Sequence, residues 1–152
     1  MIKDFDNIII KTVCRILTPF LQIFAFYVIA HGHYSPGGGF QGGCILGASF
    51  ILMVIAYDIG TVKKRMSEKL NTILCSIGVI MYAGIGLLCL ILGANYLDYG
   101  ILHRILPVDP VKARAMGTLG IEIGVGLTVM SVMVSIFLNI ATGGKHEEGE
   151  AE

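Results

Sequence analysis

The chain has 152 residues, of which 55% are hydrophobic and 14% are charged, and its mean hydropathy is +0.77. Charged residues make up about a quarter of an average soluble domain, so this composition is typical of a protein embedded in a membrane. Eleven basic and eleven acidic residues cancel, which leaves no basic excess for binding nucleic acid. The four cysteines stand singly, without the paired spacing of a metal or redox motif. We therefore expect no metal site and no cofactor.

Four stretches of the sequence are long and apolar enough to cross a bilayer, which takes about 20 residues in a helix. They cover roughly residues 8–30, 40–57, 71–93 and 116–140. The sequence therefore predicts an all-α integral membrane protein, a bundle of four transmembrane helices in a single domain of residues 1–142. Residues 143–152 are polar and acidic, and we expect them to form a disordered tail.

The first predicted helix carries a polar stripe whose members recur at intervals of three and four residues. They are Lys11, Arg15, Thr18 and Gln22. The charges of Lys11 and Arg15 can reach the membrane surface, whereas Thr18 and Gln22 lie too deep to do so. The stripe therefore indicates a contact with another subunit or a water-filled groove.

A glycine-rich turn separates the first two stretches, and glycines at intervals of four then continue along one face of the second helix. Pro36 stiffens the entrance to this turn. The glycines are Gly37, Gly38, Gly39, Gly42, Gly43 and Gly47, with a second set, Gly120 and Gly124, in the fourth helix. Small residues allow helices to approach closely in lipid. The two faces pack either on each other or on other subunits, and the sequence leaves both options open.

The basic residues predict the orientation of the chain. With the N-terminus in the cytoplasm, three of the eleven basic residues, Arg104, Lys112 and Arg114, lie outside and the other eight lie inside. Cytoplasmic loops carry the excess of Lys and Arg in membrane proteins. The cluster Lys63-Lys64-Arg65 weighs most, because it directly follows the second stretch. We therefore predict that both termini face the cytoplasm.

Glu122 is the most unusual residue of the fourth stretch. At about 1.5 Å per residue, it lies about 9 Å below the outer surface, and Thr118 lies one turn above it on the same face. A charged side chain inside the membrane is costly unless water, a cation or a basic partner meets it. Glu122 is therefore a candidate for an ion pathway or for a contact between subunits.

The run His33-Tyr-Ser-Pro-Gly-Gly-Gly-Phe-Gln-Gly-Gly43 resembles the signature of the MrpB or MnhB subunits of the multisubunit Na⁺/H⁺ antiporters. The chain size, the four stretches and Glu122-Ile-Gly-Val agree with this family, whose members often carry Asp at the position of Glu122. The resemblance implies a multi-pass subunit of the cell membrane, not an enzyme on its own, in a complex that exchanges Na⁺ for H⁺. It also implies that the glycines shape an external turn, that His33 sits at its mouth and that Glu122 is the intramembrane acid.

Three functions are consistent with these observations. The first is a transport subunit that lines a Na⁺ or H⁺ path, with Glu122, Thr118 and His33 as candidate residues. The second is a purely structural scaffold for larger partners, and the third is a membrane anchor of a redox enzyme. Relatives of the MnhB subunits also occur in archaeal membrane-bound hydrogenase and sulfur-reducing complexes. The expected partners are therefore other hydrophobic subunits of an antiporter-like or hydrogenase-like complex, together with the lipid bilayer.

Overall fold

The computed structural model of the chain describes residues 4–32, 37–57 and 66–142. These residues form four long helices and one short 3₁₀ helix. They are α1 (Asp4–Ala30), α2 (Gly38–Tyr57), α3 (Glu68–Ile91), the 3₁₀ helix Tyr99–Arg104 and α4 (Pro110–Thr142). All four long helices are apolar enough to cross a membrane, which confirms the predicted all-α membrane fold. The predictions for His33, Pro36, the cluster of residues 63–65 and the tail lie outside the described residues.

The ends of α3 and α4 follow from local sequence. Ser67 precedes α3, and its side chain accepts a hydrogen bond from the Leu70 N–H at 3.2 Å, as expected of a residue that caps a helix start. α4 begins at Pro110, and the Ala113 N–H donates to the Asp109 carbonyl at 2.9 Å. Proline suits the first helical position because its missing N–H would have no acceptor there. Both helices therefore begin where the chain supplies a suitable residue.

The helices lie in the order α1, α2, α4 and α3, and each packs chiefly against the next. α2 is the most enclosed, because half of its most apolar window is buried, compared with 17% for α3. The chain therefore places the helix that follows the glycine turn in the middle of the fold, between α1 and α4. α1 and α3 form the two outer sides.

The glycine face of α2 explains how closely α2 and α4 approach. A Cβ atom at Gly43 would lie 2.7 Å from the Gly126 carbonyl oxygen and 3.0 Å from its Cα, and one at Gly47 would lie 3.2 Å from Cβ of Met133. The contacts of Gly43 are with a main chain and are too short for a side chain to fit without moving the helices apart. The glycine face of α2 is therefore used within this chain, against α4.

A different face of α4 receives α3. A Cβ atom at Gly124 would lie 2.9 Å from the Gly78 carbonyl oxygen, and one at Gly120 would lie 2.8 Å from Cδ1 of Ile85. Further along this contact, the Asn71 side-chain amide donates to the Ser131 carbonyl at 2.9 Å. The two glycine faces found in the sequence therefore do not meet each other. Each of them receives another helix of the same chain.

The segment between α3 and α4 folds back onto the ends of both helices. Tyr99 packs on Gly117, where a Cβ atom would lie 2.6 Å from Cβ of Tyr99, and burial raises the pKa of the Tyr99 phenol. The Arg104 guanidinium donates to the Leu92 carbonyl at 3.1 Å. These contacts fix the segment at the side of the membrane where α3 ends and α4 begins.

Candidate functional site

The carboxylate of Glu122 lies against the glycine-rich turn that joins α1 and α2. A Cβ atom at Gly32 would overlap this carboxylate, and one at Gly38 would lie 2.9 Å from both Cδ and Oε2 of Glu122. The main chain of Gly39 approaches the main chain of Glu122 closely enough that a Cβ atom would lie 2.8 Å from its Cα. Glu122 is half-buried, and its Oε2 atom is buried. The structure thus joins two sequence features that are far apart along the chain.

Gly37 sets the entry of the chain into α2. Its φ of +98° lies in the left-handed region, which glycine adopts without the clash that a Cβ atom would cause. A Cβ atom at Gly37 would also lie 2.5 Å from the Gln41 side-chain nitrogen. The Gln41 N–H donates to the Gly37 carbonyl at 2.8 Å, which is the first hydrogen bond of the α2 ladder. The turn therefore depends on glycine for both its conformation and its space.

The first turn of α2 gives the Glu122 carboxylate a favourable electrostatic setting. The leading N–H groups of a helix have no acceptor within the helix and carry a partial positive charge. In α2 these are the N–H groups of Gly38, Gly39 and Phe40, because the ladder begins at Gln41. A carboxylate beside such a helix end gains about 0.3–1 kcal/mol when exposed, and more when it is partly buried. The arrangement therefore favours a negative charge at a depth where lipid alone would oppose it.

Of the two other residues predicted for an ion path, Thr118 belongs to the described part of the chain, whereas His33 does not. Thr118 lies one turn away on α4, and its hydroxyl donates to the Arg114 carbonyl at 3.0 Å. His31, which was not among the candidate residues, lies at the end of α1, is exposed and packs its ring on Tyr27 with 4.2 Å between the ring centroids. The glycines predicted to shape the turn and the helix contacts lie at buried or half-buried positions, apart from Gly37, which is exposed.

The polar stripe of α1 leads to a groove between α1 and α2. Arg15, Thr18 and Gln22 line this cavity of about 720 Å³. Its remaining lining residues are Pro19, Phe50, Met53 and Tyr57. Thr18 is buried and donates its hydroxyl to the Cys14 carbonyl at 2.7 Å, so its polar group is satisfied within α1. Lys11 is exposed one turn before Arg15.

Three residues of structural importance were not selected from the sequence. Gly32 leaves the space that the Glu122 carboxylate occupies, and the Gln41 side-chain amide occupies the space beside Gly37. Asn71 is 3% exposed and joins α3 to α4, because its amide also donates to the Ser135 hydroxyl at 2.7 Å. A polar residue at the edge of an apolar stretch was the available signal for Asn71. Gly32 gave no separate signal within a segment already rich in glycine.

Comparison with known proteins decides the family of this chain. A family model described as a domain related to the MnhB subunit of Na⁺/H⁺ antiporters matches residues 9–135. The chain belongs to the MnhB family. The match includes both the glycine turn and Glu122, and it confirms the resemblance carried by residues 33–43. The chain is therefore a multi-pass protein of the cell membrane.

Individual relatives agree with the MnhB assignment over almost their whole length. The antiporter subunit mnhB2 of Staphylococcus haemolyticus is 31% identical over 138 residues, which cover 91% of this chain and 96% of the relative. A Na⁺/H⁺ antiporter subunit of Bacillus subtilis is 30% identical over 143 residues, which cover 89% of this chain and 93% of the relative. Both relatives are named as antiporter subunits, which indicates that they assemble with other subunits.

Proposed function

We propose that this chain is a non-enzymatic subunit of a multisubunit cation/proton antiporter and that Glu122 is a binding site on its Na⁺ or H⁺ path. The observation that supports this proposal is the contact between the Glu122 carboxylate and the glycine turn at Gly32 and Gly38. Only glycines leave room for a carboxylate at this position, so the turn and the acid act as one unit.

The chemistry of the carboxylate suits the exchange of one cation for another. A charge in a membrane helix costs about 2.5–3.5 kcal/mol on insertion scales, and a bound H⁺ or Na⁺ reduces this cost by neutralising it. Because the same oxygens of Glu122 take either cation, binding of one displaces the other. The N–H groups at the start of α2 stabilise the interval in which neither is bound. Thr118, one turn along the same face, and His33 are proposed as neighbouring polar groups of this path.

Two other assignments differ from this proposal in what they predict for Glu122 or for the partner proteins. A scaffold subunit would hold its partners together, and its Glu122 would take no part in ion transport. A hydrogenase-like or sulfur-reducing host complex would place the same chain next to redox proteins. The identity of the proteins that accompany the chain distinguishes these host complexes directly.

The test is to isolate the tagged chain with its partners and to compare transport with and without it. We expect other hydrophobic antiporter subunits to co-purify, and we expect Na⁺-dependent proton movement in membrane vesicles to disappear when this chain is deleted and to return when it is supplied. Co-purification with subunits that carry metal or haem would identify a redox host instead. Transport that persists in vesicles without the chain would contradict the proposal.

We also propose that both termini face the cytoplasm, so that the glycine turn and the segment before α4 face outward. Single cysteines in a cysteine-free variant test this orientation. We expect an impermeant thiol reagent added outside intact cells to label a cysteine at the exposed Asn95. The same reagent should label a cysteine at the exposed Lys69 only after the membrane is opened. The reverse pattern would show the opposite orientation and would place Glu122 near the cytoplasm.

A further inference from the structure

The groove between α1 and α2 is confined to one half of the membrane. The stripe on α1 continues at the same spacing from Gln22 to Ala25 and Ile29, which are 0% and 8% exposed. There α2 closes over α1, since a Cβ atom at Gly42 would lie 3.0 Å from the Ala25 carbonyl oxygen. The two helices therefore touch closely at this level, whereas the residues that line the groove lie between Arg15 and Gln22 of α1 and in the C-terminal half of α2. The cavity that Arg15 lines fills the space between them.

One cation, Arg15, lines this groove, and a second, Lys11, lies on the same stripe of α1. Arg15 lies about 10 Å along the helix from Ile8, where the apolar span begins. Side chains on a helix lean toward its N-terminus, so the guanidinium of Arg15 extends toward the membrane surface. Lys11 lies one turn nearer that surface. Neither residue forms an ion pair with another residue in the part of the chain that the structure describes.

We propose that this groove binds an anionic phospholipid, with its phosphate on Arg15 and Lys11 and one acyl chain along Pro19, Phe50 and Met53. Basic pockets between transmembrane helices bind the headgroups of anionic lipids. The aromatic ring of Tyr57, at the end of α2, lies on the same side and suits the headgroup level. A helix of another subunit would run through both halves of the membrane, whereas this groove ends at Gln22. The lining from Arg15 to Gln22 covers about 10 Å of α1, which is less than the thickness of one leaflet. Lipid binding here does not depend on ion transport through Glu122.

Retention of lipid by the intact complex tests this site. The complex is incubated in detergent with phosphatidylglycerol or with phosphatidylcholine of the same chains, and bound lipid is counted by native mass spectrometry. We expect the wild type to retain phosphatidylglycerol preferentially. Loss of one cation near a membrane surface should weaken binding about fivefold in Arg15→Gln, while Arg15→Lys keeps most of it. Lys69→Gln removes an exposed cation on the same side and should change nothing, and equal retention in all variants would overturn the proposal.

A photoreactive residue at Phe50 identifies the occupant even if Arg15→Gln fails to assemble. Phe50 lines the groove, and p-benzoylphenylalanine at this position keeps an aromatic ring there. Illumination of the complex in native membranes should add the mass of a phospholipid to this chain. An adduct with another subunit would overturn the lipid site and support the subunit contact that the polar stripe first indicated. A chain that gains no mass would also contradict an occupied lipid site.

Discussion

Vesicles that contain the whole complex with Glu122→Gln are expected to lose Na⁺-dependent proton movement almost to the background of vesicles without the complex. Glutamine keeps the size and the hydrogen-bonding capacity of the side chain but cannot take up a cation at a carboxylate. The space beside Gly32 and Gly38 accepts glutamine without strain, because the variant has the same shape. Assembly of the complex should therefore be unchanged. The measurement is proton movement after a pulse of Na⁺, at equal subunit content.

Two further variants separate the role of Glu122 from a general effect of charge. Glu68→Gln removes an exposed carboxylate in the first turn of α3 and should leave transport unchanged. Glu122→Asp keeps the carboxylate but shortens its reach by one methylene, so we expect partial transport. If Glu122→Gln transports at the wild-type rate, Glu122 is a packing or contact residue and the ion path lies elsewhere.

Replacement of Gly43 by leucine is expected to abolish most assembly of the complex. A Cβ atom at Gly43 would lie too close to the main chain of Gly126, at 2.7 Å from its carbonyl oxygen. A main chain cannot rotate away as a side chain can, so α2 and α4 must separate. Overpacking of this kind costs about 1–3 kcal/mol and at times more. The measurement is the amount of intact complex on a native gel, relative to the amount of this chain in the membrane.

Gly84 provides a matched control for Gly43. It lies within the apolar helix α3, and beyond the neighbouring turns of that helix no atom of the described residues lies within 4 Å of the position of its Cβ. Gly84→Leu adds the same side chain to the same kind of helix without a main-chain collision, so assembly should remain at the wild-type level. Wild-type assembly of Gly43→Leu would show that α2 and α4 do not need this close approach. An equal loss in both variants would point to leucine itself as the cause.

The sequence by itself determined the class of the protein and supplied the candidate residues for its function. Four apolar stretches predict four helices, because a bilayer leaves the main chain of each span no partner outside its own helix. This rule holds for each stretch separately, which is why the helices could be predicted without their packing. Glu122 was equally recognisable, since a carboxylate in an apolar stretch is costly wherever its helix lies. The run of residues 33–43 indicated the family, and the family model that matches residues 9–135 showed it.

Only the tertiary structure decided which helices touch and what surrounds each polar group. The glycine faces of α2 and α4 were visible in the sequence, but small residues specify close approach and not the identity of the partner. Burial of Glu122 against Gly32 and Gly38 depends on how α2 and α4 cross. The groove at Arg15 depends on how α1 and α2 pack against each other. The place where two helices cross depends on the side chains of both helices, so it cannot be predicted from the periodicity of either helix alone.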